Sequence, residues 1–241
     1  MGTENPQLNK IRGLLAKAES TEFPEEAEAL RERATALMAK YGIEQAVLAG
    51  TADPEANEIT DRIIDCYRPW AEEKASFLYR LGEAMGCRAV EIETRSGNGF
   101  TRIQLVGYVS DLDRVEMLFT SLLVQLAHAV AVATPPPGQK PRPFRRAFVA
   151  GYSSEVVWRV RQAEERAAAD AKTTHGTGLE VVLVDRSTRV QNFFDNLFPE
   201  LGTRSVRRYG NSGLNAGMAA GKRADIGQRR TGSGGRQAIS G

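Results

Sequence analysis

The chain has 241 residues, of which 41% are hydrophobic and 26% are charged, and its formal net charge is +2. This composition is ordinary for a soluble globular protein, and no stretch approaches the roughly 20 continuous apolar residues needed to span a bilayer. The N-terminus lacks the basic start and apolar core of a secretion signal, so we expect a cytoplasmic protein with no membrane partner.

Charge is distributed unevenly along the chain. Residues 1–66 contain thirteen acidic and seven basic side chains, whereas residues 200–241 contain eight basic and two acidic ones. Such asymmetry favours an anionic partner for the basic end of the chain, or contact between its two ends.

Residues 1–47 predict an antiparallel helical hairpin. Apolar residues at helical spacing define a first helix, "ESTEFP" interrupts it, and a second helix ends at Gly42. The hairpin is too small to be stable alone, so it must pack on the rest of the chain. The predicted inward residues are Leu8, Ile11, Leu14, Leu15 and Ala18 in the first helix, and Ala27, Leu30, Ala34, Leu37, Met38 and Tyr41 in the second.

Residues 58–133 predict a small sheet and two helices. "EITDRIIDCY" is a candidate strand with Ile59, Ile63 and Cys66 facing inward, and a helix that Pro69 opens follows it. "CRAVEIET" and "FTRIQLVGY" alternate apolar and polar residues on either side of a Gly-Asn-Gly turn, which predicts a β-hairpin. The next helix, capped by Ser110 or Asp111, extends to about residue 133.

The remaining segments complete an α+β fold. "TPPPGQKPRP" at 134–143 predicts an extended proline-rich loop, and a long helix covers about 144–172. "LEVVLVD" at 179–185 predicts a buried strand, with a short helix after it. We therefore expect a helical hairpin domain at 1–47, an α/β domain at 58–226 whose small, largely antiparallel sheet is packed by long helices, and a disordered basic tail at 227–241.

The segments "KIRGLLAKAEST" and "EEAEALRERATALMAKYGI" closely resemble the bacterial and phage domain-of-unknown-function family 2786, over about residues 6–46. Gly13 departs from that pattern at an exposed helical position, at a cost of about 1 kcal/mol in helix stability. The remainder resembles the α/β domain that often follows in actinobacterial and phage members, through "FRRAFVAGY", "LVDRS" and "AGMAAGKRADIG". No activity is established for the family, so the resemblance implies no catalytic residues.

Glycine recurs at every fourth residue in "GLNAGMAAGKRADIG", at Gly213, Gly217 and Gly221. The segment does not fit a phosphate-binding loop of the G-x-x-x-x-G-K-[ST] type, because Ala216 stands at its first glycine and Arg223 at its hydroxyl position. On a helix these glycines form a ridge of small residues that lets another backbone approach closely. We predict a tightly packed C-terminal helix, and a glycine-rich loop that touches phosphates is the alternative.

Basic side chains around this ridge are candidate nucleic-acid contacts, because clustered Lys and Arg neutralise phosphates and release counterions. No helix-turn-helix or aromatic RNA-binding motif accompanies them, and a solvated basic tail is the alternative. The candidates are Arg204, Arg207, Arg208, Lys222 and Arg223, with Arg145 and Arg146 at the start of the long helix.

An enzymatic alternative uses residues near the predicted strand at 179–185. Asp185 and Ser187 lie at its C-terminal end, where sites of α/β proteins commonly lie, and His175 stands in a glycine-flanked loop upstream. Such a set suggests a hydrolase that transfers acyl groups, although no G-x-S-x-G motif is present. Helix capping by the Asp or Ser is the simpler interpretation.

No metal or cofactor is expected. Cys66 and Cys87 lack zinc-ligand spacing to each other and to His128 and His175, so we predict two reduced, mostly buried thiols and a buried His128. The leading hypothesis is a non-catalytic, nucleic-acid-associated accessory protein that binds DNA or RNA phosphates through its basic C-terminal region. The acidic hairpin would contact a protein partner or mask that surface, and a hydrolase or a protein–protein adaptor are the alternatives.

Overall fold

A computed structural model describes residues 6–23, part of 26–42, and residues 58–92, 99–175, 178–202 and 208–226. The described residues within 26–42 are helical and are called α2 here. The other elements are α1 (Pro6–Ser20), β1 (Ile59–Tyr67), α3 (Ala71–Ala84), β2 (Arg88–Ile92), β3 (Phe100–Tyr108), α4 (Val109–Val132), α5 (Pro141–His175), α6 (Gly178–Leu197) and α7 (Asn211–Arg223).

The three strands form one antiparallel sheet in the order β1-β3-β2. This confirms the predicted α+β class and the β-hairpin of β2 and β3. Cys66, Ile103 and Leu105 face the main core, to which α3, α4 and α5 also contribute. Ile63 was predicted to face inward, but it is 51% exposed, and its neighbour Ile64 packs on the core instead. Alternation along a strand fixes which residues share a face but not which face is buried.

The opposite face of the sheet is covered by α6. Val106 and Tyr108 of β3 pack there against Val190 and Phe194 of α6. The predicted strand at 179–185 is therefore wrong, since these residues lie inside α6. Val184, predicted to be buried in that strand, is 62% exposed. A short apolar run does not by itself distinguish a strand from a helix, and here the helix turns its later residues to the sheet.

The N-terminal hairpin packs on this core. Thr21 Oγ1 donates to a Glu26 carboxylate oxygen at 2.6 Å, and Lys17 pairs with the same carboxylate at 3.2 Å, which closes the turn between α1 and α2. The buried hairpin residues that join the core cluster are Ile11, Leu15, Ala34, Met38 and Tyr41. The hairpin thus buries its apolar side inside the molecule. The predicted tail at 227–241 lies outside the described residues.

Among the described residues, α4 is the one helix that is long and apolar enough to cross a membrane by length and composition. Its apolar residues Leu118, Leu122 and Leu126 are buried in the core cluster. The residue before its first turn is Tyr108, which gives no side-chain cap hydrogen bond. Neither Ser110 nor Asp111 caps the helix as predicted, because both lie within its first turn, and Asp111 has a different set of partners.

Candidate nucleic-acid interface and a buried arginine cluster

Helix α7 packs on α5 with the two backbones in direct contact. Gly213 lies against the carbonyl of Phe144, and Gly217 lies against the carbonyl of Phe148. A Cβ added at Gly221 would be 2.8 Å from the carbonyl oxygen of Tyr152. The numbering increases together along both helices, so α5 and α7 are parallel and begin at the same end of the molecule. The glycine ridge is therefore a packed helix, as predicted, and not a phosphate-binding loop.

Polar contacts fix both ends of α7. At its start, Ser212 Oγ and Gln139 Oε1 are 2.7 Å apart, which ties α7 to the segment before α5. At its end, Arg159 of α5 donates from Nη1 to the carbonyls of Gly221, at 2.7 Å, and Ala224. A guanidinium on these last carbonyls satisfies acceptors that the helix leaves unpaired.

Exposed basic side chains lie at the starts of α5 and α7: Lys140, Arg142 and Arg145 at the start of α5, and Arg208 just before α7. Neither helix has an acidic residue in its first turn. None of these basic residues forms an ion pair within the described part of the chain. Both helix N-termini carry a partial positive charge, which adds to the charge of the side chains, and the start of α7 also offers unpaired N–H groups, which Pro141 and Pro143 of α5 lack. We call this surface the basic end; its residues are Lys140, Arg142, Arg145 and Arg208.

Arg146 was predicted as a nucleic-acid contact, but its guanidinium already has partners. Nη2 lies 2.6 Å from a carboxylate oxygen of the buried Glu73 and 3.2 Å from one of Glu72. The Tyr209 hydroxyl donates to Glu73 at 3.3 Å, and burial together with the Glu73 charge raises the pKa of Tyr209 to about 12. Arg146 thus neutralises a buried carboxylate and anchors the segment that leads into α7.

The other predicted basic residues do not form one continuous group. Lys222 and Arg223 are exposed in the last turn of α7, about 16 Å along the helix axis from its first residue. There they complement the negative end of the helix dipole. Arg204 and Arg207 lie outside the described residues. Within the described part, Arg208 and Arg145 are the predicted residues that lie at the basic end.

The residues of the enzymatic alternative lie on two helices. Asp185 and Ser187 are both on α6, two residues apart, so their side chains leave the helix in different directions. Asp185 pairs with Arg189 at 2.8 Å on the exposed surface. His175 is the last residue of α5, and its side chain lies outside the described part. No described contact joins Asp185 to Ser187, and neither caps a helix.

Sequence analysis missed a cluster of buried charges where α4, α5 and α6 meet. Asp111 accepts hydrogen bonds from Arg114 Nη1 at 3.1 Å and from Arg186 Nη2 at 3.0 Å. Arg114 Nη2 also donates to Glu164 at 2.5 Å. Burial disfavours the charge of Arg114, but the Glu164 and Asp111 carboxylates outweigh it and raise the pKa of the guanidinium. The signal was present in the sequence, since Asp111 and Arg114 are charged residues three apart on an apolar helix.

This cluster lines a cavity of about 320 Å³. The guanidinium carbon of Arg186 lies 3.6 Å from the centre of the Tyr108 ring, a cation–π contact. Arg186 Nη1 and Arg114 Nε are buried and have no hydrogen-bond partner among the described residues. The rest of the lining is Gly42, Ala84, Met85, Gly86, Glu164, Glu165, Ala167, Ala168, Leu183, Ser187 and Val190.

The cysteines and His128 provide no metal site in the described part of the chain, where no group of three or more candidate ligands occurs. Cys66 and Cys87 are free and buried, as predicted, and burial raises the pKa of Cys66 to about 12. His128, predicted to be buried, is exposed because it lies on the solvent side of α4.

These elements define an α+β protein with a docked N-terminal helical hairpin, a three-stranded antiparallel sheet and a glycine-packed pair of parallel helices. Residues 8–45 match the model of a family described as "Protein of unknown function (DUF2786)". The match coincides with the hairpin and confirms the resemblance found there. No curated protein and no solved structure matches the chain.

Proposed function

We propose that the protein is a non-catalytic, nucleic-acid-associated accessory protein that contacts DNA or RNA phosphates through its basic end. The observation that supports this proposal is the parallel packing of α5 on α7, which brings two helix N-termini together. Lys140 and Arg142 flank the first residue of α5, Arg145 follows in its next turn, and Arg208 precedes α7 by three residues; all four are exposed and have no acidic partner in the described part of the chain. The two nearby acids, Glu72 and Glu73, are held by Arg146.

Backbone and side chains act together in this proposal. The first N–H groups of α7 have no acceptor within the helix and bind anions readily, whereas α5 contributes its dipole and basic side chains, because Pro141 and Pro143 in its first turn have no N–H. Each phosphate neutralised by Lys or Arg releases condensed counterions, so affinity depends strongly on salt. Nothing at the basic end provides a base-reading pattern, so we expect binding that tolerates many sequences.

The acidic hairpin is the proposed surface for a protein partner. Its apolar side is buried in the core, so a partner would contact the exposed polar side, where the described residues include Lys10, Arg12, Glu22 and Arg33. The proposal places the protein in the cytoplasm, and its actinobacterial or phage-related origin rests on the sequence resemblance alone.

The test is fluorescence anisotropy of short labelled DNA and RNA across a salt series. The full chain is compared with a variant in which Lys140, Arg142, Arg145 and Arg208 are alanine. The matched control removes the same number of exposed basic residues elsewhere, with Arg161, Arg166, Lys222 and Arg223 changed to alanine. We expect the basic-end variant to lose about 3 to 4 units of the slope of log affinity against log salt, at about 0.9 per phosphate contact on duplex DNA.

The control variant should keep the slope of the unmodified chain. Absence of binding at low salt would contradict the proposal. Equal losses in both variants would instead show a general charge effect, and would remove the basic end as the binding surface.

A further inference from the structure

The cavity beside the arginine cluster has the size and lining of a small-molecule site. Its volume of about 320 Å³ is at the lower end of the range for such sites, which are mostly apolar with a few polar groups. Arg186 lines it and is 8% exposed. Its Nη1 donates to no acceptor in the described part of the chain, so the cavity presents a buried donor without a partner.

The same cavity also presents an acceptor. One carboxylate oxygen of Glu164 accepts from Arg114, and among the described residues no donor is bonded to the other. Ser187, at the cavity lining, makes no hydrogen bond to the described residues through its hydroxyl group. Donor and acceptor capacity therefore lie in the lining of one partly open cavity.

The charges in the cavity lining disfavour an anionic ligand. Arg114 and Arg186 carry two positive charges, and Asp111 and Glu164 carry two negative charges at short distances. The lining further includes the carboxylate of Glu165, so an added anion would meet an excess of negative charge. Apart from Ser187, the rest of the wall is mostly apolar.

We propose that this cavity binds a small uncharged heterocycle of the nucleobase class. Arg186 Nη1 donates to a ring carbonyl or ring nitrogen, and Glu164 accepts from an exocyclic amine. Nucleobases combine these groups on one edge, and proteins recognise them with such arginine and carboxylate contacts. The site is independent of the basic end, because Glu164 lies about 28 Å along α5 from Arg145.

The test is isothermal titration of the full chain with adenosine, guanosine, cytidine and uridine, and with benzoate and inorganic phosphate at matched ionic strength. Two variants change neighbouring residues of α5. Ala168→Phe fills the cavity, whereas Ala169→Phe places the same side chain on the exposed surface. Arg186→Lys retains the charge but removes the Nη1 donor.

We expect at least one nucleoside with an exocyclic amine to bind more tightly than uridine, which lacks that amine. Ala168→Phe and Arg186→Lys should each weaken this binding about tenfold or more, and Ala169→Phe should leave it unchanged. Circular dichroism verifies that each variant is folded. If either Ala168→Phe or Arg186→Lys fails to fold, the nucleoside affinity of the other variant tests the proposal.

The proposal is overturned if no nucleoside binds at millimolar concentration, or if benzoate or phosphate binds more tightly than every nucleoside. It is also overturned if Ala168→Phe and Ala169→Phe bind equally well. DNA affinity of Ala168→Phe is measured in parallel and should match that of the unmodified chain, so failure of this site and failure of the basic end are distinguishable.

Discussion

Gly217 of α7 lies directly against the carbonyl group of Phe148 on α5, where any Cβ would overlap the carbonyl oxygen. Gly151 of α5 makes the reciprocal approach to the carbonyl of Leu214. Glycine weakens a helix in isolation, so the stability of α7 comes from this contact and not from its own helical propensity. The contact also holds α7 alongside α5, so that both helices start at the same end of the molecule.

Gly217→Ala is expected to destabilise the protein. The added Cβ meets backbone atoms of Phe148 and Tyr152, which cannot move aside as the end of a flexible side chain can. The free energy of unfolding should fall by about 1–3 kcal/mol, as for other overpacked sites. Urea denaturation followed by circular dichroism measures it.

Gly13→Ala is the matched control, because Gly13 is exposed within α1 and nothing lies within 4 Å of an added Cβ. There the same substitution should raise the free energy of unfolding by up to about 1 kcal/mol, through helical propensity. Equal effects at the two positions would show that the close approach of α7 to α5 is incorrect.

Arg145 and Arg146 are adjacent but should respond differently to alanine. Arg145→Ala removes an exposed charge of the basic end, so the slope of log DNA affinity against log salt should fall by about 0.9 with stability unchanged. Arg146→Ala removes a cation that pairs with the buried Glu73 and should lower the free energy of unfolding by about 1–3 kcal/mol.

Anisotropy and urea denaturation are measured on both variants. The salt slope of the Arg146→Ala variant should remain that of the unmodified chain. A reversed pattern, with Arg146 controlling the slope, would place the phosphate contacts elsewhere.

Asp111→Asn tests the buried arginine cluster. The change removes the charge that Arg114 and Arg186 share, so two buried guanidinium groups lose their common partner. We expect a loss of about 3–5 kcal/mol in the free energy of unfolding. Asp185→Asn removes an exposed ion pair with Arg189 and should change stability by no more than about 0.5 kcal/mol. Similar effects in thermal or urea unfolding would mean that the cluster is not buried as described.

The two cysteines should be unreactive in the folded protein. Burial raises the pKa of Cys66 to about 12, and it also raises the pKa of Cys87, so both remain protonated at pH 8. A chromogenic disulfide reagent should label both thiols only after denaturation in urea, while an exposed thiol introduced by Ala169→Cys should react at once. Rapid labelling of the unmodified native chain at pH 8 would contradict the burial.

The same pKa shifts predict that the protein becomes less stable as the pH rises into the alkaline range. The folded state holds the thiol protons more tightly than the unfolded state does. The contribution to stability is therefore intact below the ordinary thiol pKa of 9.0 and falls as pH rises toward 12. Urea midpoints measured across this range should decrease, and Cys66→Ala should make that decrease smaller.

The elements with strong local signals were predictable from the sequence. The alternation around the Gly-Asn-Gly turn gave the pairing of β2 with β3, and helical spacing gave α1 and α3–α5. Residues 179–185 were mistaken for a strand because β-branched, apolar runs of this length suit either structure. The choice depends on Val190 and Phe194, which pack on the sheet from further along the same helix.

The candidate site was predictable only in part. Arg145 and Arg208 were named from charge alone, and the structure places them near the paired helix starts. Arg146 has the same charge, but Glu73 engages it, and that residue is 73 positions away in sequence. Asp111 was predicted to cap a helix. Its two arginine partners are Arg114, one turn later in the same helix, and Arg186, in α6. No local pattern encodes such distant pairings.

The sequence by itself determined the small-residue ridge of Gly213, Gly217 and Gly221, the hairpin that matches DUF2786, and the imbalance of charge between the ends of the chain. Only the tertiary structure decided that α7 lies parallel to α5, that the two helices begin at one basic end, and that Arg114 and Arg186 line a cavity. The physical reason is that the spacing of residues in the sequence determines which side chains share one face of a helix. Which partner that face packs against is determined by the free energy of burial, summed over residues that are distant in sequence.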